Sequence, residues 1–397
     1  MDDRLEDFGL RPLVNVSGTM TGLGASIAVP EVVRAAEAIL PCFVDINDLQ
    51  RKASAAIADA TGAEAGCVTA SCAAGITLAV AACMTGGDLA AIERLPVTTG
   101  LRDEVVLLAG HAVNFGAPVE QTVRLSGARV VLAGQVTSAQ RYHLDGAITE
   151  RTAALLFVVS HHTVQYGLPA LETVLDVAHA CGVPVIVDAA SEYDLRRFVA
   201  AGADLVVYSG HKFLGGPTSG LVAGRRRLVR DLFLQNLGIG RGMKVGKEGI
   251  AGLIAALRAW GLRDHAAIRA READILSSWQ QALAPFAGVQ TCSEPDPTGN
   301  PLDRLKISVQ PAQARITAWD LADALAAGDP AVMVRDHELE LGHFHLDPCN
   351  LHPGQAAIVA RRLADELRRA AAHPHGIFTP FAARADRRIA ALMRWPD

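Results

Sequence analysis

Between residues 65 and 225 the chain alternates short apolar runs with longer stretches whose apolar positions recur every three or four residues. The runs at 66–70, 104–109, 128–133, 154–159, 183–188, 204–208 and 219–223 predict buried strands, since none shows a regular polar alternation. Helical spacing predicts helices at 72–84, 116–125, 169–181 and 195–201. Such alternation predicts an α/β fold with a mostly parallel sheet covered on both faces. Ahead of it, Pro30-Glu31 opens a predicted helix reaching about Leu40, and residues 50–62 form a second that Gly62 closes. After Arg230 the pattern turns helical, with one long helix predicted near 248–284 and a loop over 286–300. Strands at 304–309, 331–335 and 339–346 then mix with helices at 317–327 and 353–370, as in a small α+β domain. The tail 371–397 gives no clear pattern. The expected organisation is an N-terminal arm (1–50), a large domain (51–260), and a connecting helix with a small C-terminal domain (261–397).

Composition narrows the function classes. The chain has 397 residues, half of them hydrophobic, enough for a large core. Its net charge of −5 gives no electrostatic footprint for nucleic acid, and no apolar stretch reads as a membrane span. Seven scattered cysteines without a CxxC pair predict a reducing cytoplasm, with neither a disulfide framework nor a zinc site. The acidic start MDDRLEDFGL lacks the apolar region of a signal peptide.

Two segments carry candidate chemistry. SGHKFLGGPTSG (209–220) follows the apolar run 204–208 and places Lys212 just past a strand end, in a loop of Gly, Pro, Ser and Thr. A lysine that forms a Schiff base needs a fixed position, an apolar wall that depresses its pKa, and room for a flat cofactor. A phosphate-binding or turn lysine is the other reading. VPVIVDAASE (183–192) ends an apolar run in Asp188, 24 residues before Lys212. A carboxylate there can keep the pyridine nitrogen of pyridoxal phosphate (PLP) protonated; the plainer role is a helix cap. Two neighbouring strands would bring the acid and the lysine to one sheet edge, where ligands bind in open α/β sheets.

Other candidates surround this pair. Ser71, Cys72 and Ala73 open the 72–84 helix and offer a hydroxyl and backbone amides to a phosphate. Ser209 and His211 flank the lysine, and His111 follows a predicted strand, where it can stack on a cofactor ring. The basic, glycine-rich segment GIGRGMKVGKEG (238–249) offers Lys244 and Lys247 to a cofactor, a substrate anion or a neighbouring subunit, or is a solvated turn. Asn15, Ser17, Thr19, His161 and Arg335 are candidate substrate contacts, Arg335 through bidentate binding of a carboxylate. His343 and His345 lie on one face of a strand, but no further metal ligand is evident from the sequence, so no metal is expected.

These segments, with LVNVSGTMTGLG (13–24), FVDINDLQRKASAAIADATGAEA (43–65) and GRGMKVGKEGIAGLI, resemble the selenocysteine synthase-like group of fold-type I PLP-dependent enzymes. The likeness spans most of residues 10–260 in order, and 302–367 looks like the group's small domain. It implies a PLP enzyme in which Lys212 bears the cofactor, Asp188 pairs with the ring nitrogen, Ser71 and its neighbours hold phosphate and His111 stacks. It also implies a homodimer or larger homo-oligomer in which the Lys244/Lys247 loop serves the partner's site. Within the group, the D-glucosaminate-6-phosphate ammonia-lyase branch looks closer in size and in the GMKVGKE loop. The acidic balance and the absence of an extra N-terminal portion argue against a tRNA substrate. The expected activity is α-proton abstraction from a small amino acid or amino sugar acid, followed by β-elimination and release of ammonia. Racemisation, aldol cleavage, aminotransfer and selenium transfer use the same parts and remain alternatives. An NTP-binding loop is disfavoured, because the glycines follow Lys212 instead of preceding it.

Overall fold

The computed structural model describes residues 3–396. These residues contain strands β1 (Leu13–Val16), β2 (Ala65–Thr69), β3 (Glu104–Leu108), β4 (Arg129–Ala133), β5 (Thr152–Val158), β6 (Val185–Asp188), β7 (Leu205–Ser209), β8 (Gly220–Gly224), β9 (Val289–Pro295), β10 (Asp303–Val309), β11 (Ala331–Val334) and β12 (His343–Leu346). The chain divides into two units, one from Ser26 to Arg263 and one joining the residues up to Ala25 with those from Asp264 onward. The first division falls inside the segment read as an arm over 1–50. The reason is a strand pairing: β1 runs parallel to β11, Leu13 opposite Ala331. Met1, Asp2 and Asp397, the ends of the outer expected domains, lie outside the described residues.

The Ser26–Arg263 unit holds a seven-stranded sheet in the order β2-β8-β7-β6-β5-β3-β4. Strands β4, β3, β5, β6 and β7 are parallel. β8 is antiparallel to both its neighbours, β7 and β2. This reversal matters for the site: an antiparallel neighbour can be entered by a short hairpin, whereas a parallel one needs a crossover. Residues 210–219, with Lys212 among them, are that hairpin.

The central strands are apolar without interruption because each face meets its own core. Val106, Leu155, Val187 and Val206 point to one side, and Val105, Leu156, Ile186 and Val207 to the other. Successive side chains on a strand face opposite ways, and each fully buried aliphatic side chain contributes about 1.5–3 kcal/mol. The helix Cys72–Thr85 is apolar nearly all round and is buried nearly all round. Gly75 lets it close on the sheet, since a Cβ there would stand 2.9 Å from Val207 Cγ1.

In the other unit β12, β10 and β9 form an antiparallel sheet in that order. One face of it packs Leu305, Ile307, Phe344 and Leu346 with Trp279, Leu321 and Leu363. Trp279 is fully buried, and its indole N–H donates to the Ala356 carbonyl at 2.9 Å.

Four sequence expectations need correction. The helix predicted near 248–284 is two helices, Lys247–Leu262 and His265–Leu283. Arg263 is extended (φ −73°, ψ 133°), and Asp264 caps the second helix by accepting the Ala267 N–H at 2.9 Å. The loop predicted over 286–300 contains β9, fully paired with β10. Of the predicted strand 339–346 only His343–Leu346 forms; Leu339–Leu341 is a 3-10 turn ended by Gly342 at φ 82°. The helix predicted from 50 begins at Ile46, because Asp45 caps it through the Asn47 N–H. The tail without a pattern contains a helix, Phe381–Met393. No helix among the described residues is long and apolar enough to cross a membrane, and the seven cysteines are free.

Candidate active site

β6 and β7 lie side by side, with Asp188 opposite Val207. Their parallel course brings Asp188, at the end of β6, and Ser209, at the end of β7, to the same sheet edge. Lys212 stands three residues past Ser209, in the hairpin to β8.

The hairpin is pinned from several sides. The Ser26 hydroxyl donates to the Lys212 carbonyl at 2.7 Å. The Val29 N–H donates to the Gly215 carbonyl at 2.9 Å, and Gly215 has a positive φ of 65°. The Arg263 guanidinium donates to the carbonyls of Phe213 and Leu214 at 2.8 and 3.1 Å. Across the turn the Gly210 N–H reaches the Ser219 carbonyl at 2.9 Å. Within this frame Lys212 Nζ donates to the Ser191 hydroxyl, three residues beyond Asp188.

Asp188 is buried, and its Oδ1 accepts the Ala190 N–H at 3.1 Å. Burial raises its carboxyl to about 6, opposed by the charge of Lys212 and by the Ala190 hydrogen bond. A buried carboxylate beside a lysine is a group waiting for a further positive partner.

The helix Cys72–Thr85 begins beside this pair. Ser71 caps it, accepting the Ala74 N–H at 3.1 Å, while the amides of its first turn, at Cys72 and Ala73, have no partner within the helix. Burial pushes the Cys72 thiol up to about 12; Asp188 adds to the rise, while Lys212 and the Ser209 hydroxyl oppose it. Cys72, Asp188, Ser209 and Lys212 therefore share one neighbourhood. Gly220, opening β8, lets the helix start approach, since a Cβ there would lie 2.4 Å from the Ser71 carbonyl oxygen.

His111 lies at the end of a 3-10 turn after β3. Its Nδ1 accepts the Val158 N–H at 3.2 Å, and Val158 is the β5 residue opposite Asp188. The ring meets Phe157 edge-on at 4.6 Å, and burial lowers its pKa to about 4, so the imidazole is neutral at physiological pH. His211 is held below the ordinary histidine range by burial and by Lys212. Its Nδ1 is buried without a hydrogen-bond partner among the described residues.

The other sequence candidates lie on other elements. His161 and His162 follow β5 with ring centroids 3.8 Å apart. Lys244 is exposed, and Lys247 Nζ donates to the Cys42 carbonyl. Asn15, Ser17, Thr19 and Arg335 belong to the unit that includes β1 and β11. The Asn15 amide is occupied in its own turn, donating to the Gly18 carbonyl at 2.9 Å and accepting the Ser17 N–H at 2.9 Å. Ser17 is buried and Thr19 half-buried. Arg335 is half-buried and makes no salt bridge among the described residues, and burial, then the nearby Arg304, lowers its pKa to about 10. Arg304, by contrast, is locked between Asp296 at 2.7 Å and Asp347 at 2.9 Å. Sequence reasoning missed Ser191, Ser26 and Arg263. Ser191 lay inside the quoted motif, whereas nothing in the sequence marks the other two.

Comparison with known proteins decides the family. The L-seryl-tRNA selenium transferase family model matches residues 13–288, well over half of the chain. The chain belongs to that family. It is 38% identical over 366 residues to the D-glucosaminate-6-phosphate ammonia lyase of Salmonella typhimurium (strain 14028s / SGSC 2262), covering 92% of this chain and 98% of the relative. It is also 38% identical over 365 residues to a 5'-C-glycyluridine monooxygenase-decarboxylase of a Streptomyces species, covering 91% of each. The solved structure of D-glucosaminate-6-phosphate ammonia-lyase matches with a TM-score of 0.84 at 38% identity, covering 93% of this chain and 99% of the other. Aspartate aminotransferase from Thermus thermophilus matches at a TM-score of 0.53 and 17% identity, over 91% and 93% of the two chains, which shows the type I fold.

This member of the selenium transferase family is a PLP-dependent enzyme. Its residues suit that cofactor on three observations of the site itself. A buried carboxylate stands beside a pinned lysine, the buried His211 Nδ1 lacks a partner among the described residues, and the helix capped by Ser71 offers its first-turn amides.

Proposed function

We propose that this enzyme is an ammonia lyase acting on an amino sugar acid by β-elimination. The observation that carries the reading is the pair of Lys212 and Asp188 at adjacent strand ends, in a chain alike over 92% of its length to an ammonia lyase.

Bound PLP supplies an electron sink for the carbon that bears the substrate amine. The chain's residues do the rest. Ser71, the amides of Cys72 and Ala73, and Ser209 hold the phosphate. Asp188 holds the proton of the ring nitrogen; the burial that raises its pKa favours meeting a cation there. His111, neutral and flat, packs against the ring face, and His211 directs its unpartnered nitrogen to the bound molecule. Lys212 Nζ takes the α-proton, with Ser191 fixing its position. Arg335, free of any salt bridge among the described residues, binds a substrate carboxylate; His161 contributes a further polar contact.

A homodimer is part of this proposal, with the Lys244/Lys247 loop serving the partner's site. In its favour, Leu40, Phe43, Val44 and Ile46 are exposed apolar side chains in one stretch, next to the Cys42 carbonyl that Lys247 contacts. A cytoplasmic location accords with the free cysteines.

The equal identity to a monooxygenase-decarboxylase favours a second reading, oxidative loss of the carboxyl group. An absorbance spectrum followed by a screen of D- and L-β-hydroxy amino acids and sugar amino acids separates the two. The lyase predicts a visible band that borohydride bleaches and Lys212→Ala lacks, with ammonia and a 2-oxo acid formed without oxygen. Oxygen uptake with carbon dioxide release supports the second reading. A colourless protein that cannot be reconstituted with PLP refutes both.

A further inference from the structure

The sequence pairs His343 and His345 on one face of a strand without naming a further ligand, and the fold supplies one. On β12 the alternation is strict: Phe344 and Leu346 are fully buried in the core, so His343 and His345 share the opposite face. Their rings lie 5.5 Å apart at 85°. Arg335 and His345 exchange backbone hydrogen bonds of 3.0 and 3.1 Å, which tie the segment after β11 to β12. That tie carries Glu338 to His343, with Oε2 2.7 Å from Nε2. From the far strand β9, Glu294 Oε2 reaches His345 Nε2 at 3.0 Å, while its other oxygen takes Lys306 Nζ at 3.1 Å.

One donor atom from each of Glu338, His343 and His345 lies within 4.8 Å of the others. Around zinc, with bonds of about 2.0–2.2 Å, tetrahedral donors stand about 3.4 Å apart. Closing the difference takes at most about 1.4 Å of movement, and the structure shows which groups can provide it. The imidazoles are fixed, 10% and 14% exposed, whereas the Glu338 and Glu294 carboxylates are 51% and 38% exposed. Rigid nitrogen donors with movable carboxylates suit a borderline-soft divalent ion, and the Glu338 carboxylate offsets part of its charge.

We propose that Glu338, His343 and His345 form a binding site for a divalent transition-metal ion of the zinc class, with Glu294 or water in the fourth position. The ion joins β12 to the segment after β11.

The test uses the chelator-treated holoenzyme titrated with Co2+ as a spectroscopic stand-in for Zn2+. The site predicts one ion per chain, visible ligand-field bands without a thiolate charge-transfer band, and displacement by Zn2+. His343→Ala and His345→Ala each weaken binding by about 100-fold. Glu338→Gln, at an exposed position that leaves folding intact, weakens it by about 10-fold, and covers the case in which a histidine variant fails to fold. Cys292→Ser, the nearest thiol by strand register, leaves binding unchanged. The proposal fails if no ion binds in the micromolar range, if the spectrum shows thiolate ligation, or if binding survives loss of both histidines and of the Glu338 charge.

Discussion

Asp188→Asn tests the electrostatics of the site directly, because in the cofactor-free protein the fold holds this carboxylate against its own preference. Burial raises the carboxyl from 3.8 to about 6, although Lys212 and the Ala190 N–H oppose the rise. A rise of that size corresponds to about 3 kcal/mol. The folded form binds the proton more tightly than the unfolded chain. The carboxyl's contribution to stability is therefore full below the unfolded pKa of 3.8 and lost as the pH climbs through about 6. Asparagine carries no charge and shows no such loss. The stability difference between variant and parent should therefore move in the variant's favour by about 2.5 kcal/mol between about pH 4 and about pH 7.5. Urea unfolding of both proteins without cofactor measures this, with unchanged slopes and shifted midpoints. Groups that titrate alike in both proteins cancel in the comparison. A difference that is the same at both pH values would falsify the assignment of Asp188 as a strained buried anion. The variant should also lose activity, so greater stability without cofactor and lost catalysis should appear together.

Three more outcomes are expected. Gly220→Ala puts a Cβ 2.4 Å from the Ser71 carbonyl, so it should cost about 1–3 kcal/mol in stability and weaken cofactor affinity, which titration of the empty protein with PLP measures. Ser191→Ala removes the hydroxyl that accepts from Lys212 Nζ; kcat should fall about tenfold with KM little changed, and an equal rise in KM would assign Ser191 to substrate binding instead. Trp279→Ala should destabilise its own unit by about 3–5 kcal/mol in calorimetry, since a fully buried indole and its bond to the Ala356 carbonyl are lost together.

The sequence by itself determined the strands of the large sheet and the residues at their ends. Runs such as 204–208 must be buried on both faces, and a parallel order puts the ends of β6 and β7 on one edge, so Asp188 and the Lys212 hairpin were legible as a pair. Helix starts were legible where a side chain caps the helix locally, as Ser71 does. Tertiary structure decided everything that depends on partners far along the chain. The break at Arg263 depends on the carbonyls of Phe213 and Leu214, fifty residues away, and no local pattern encodes it. β9 is a strand because β10 pairs with it, though its own alternation is weak. β1 joins a unit built mostly from the other end of the chain because β11 lies beside it. The same holds at the sites: the sequence named Lys212, but only the fold set Ser191 against its amine, and the sequence named His343 and His345, but only the fold delivered Glu338 and Glu294 to them. Periodicity records which face of an element is buried. Which distant group meets that face is settled when the chain packs, because the contact depends on the positions of both elements at once.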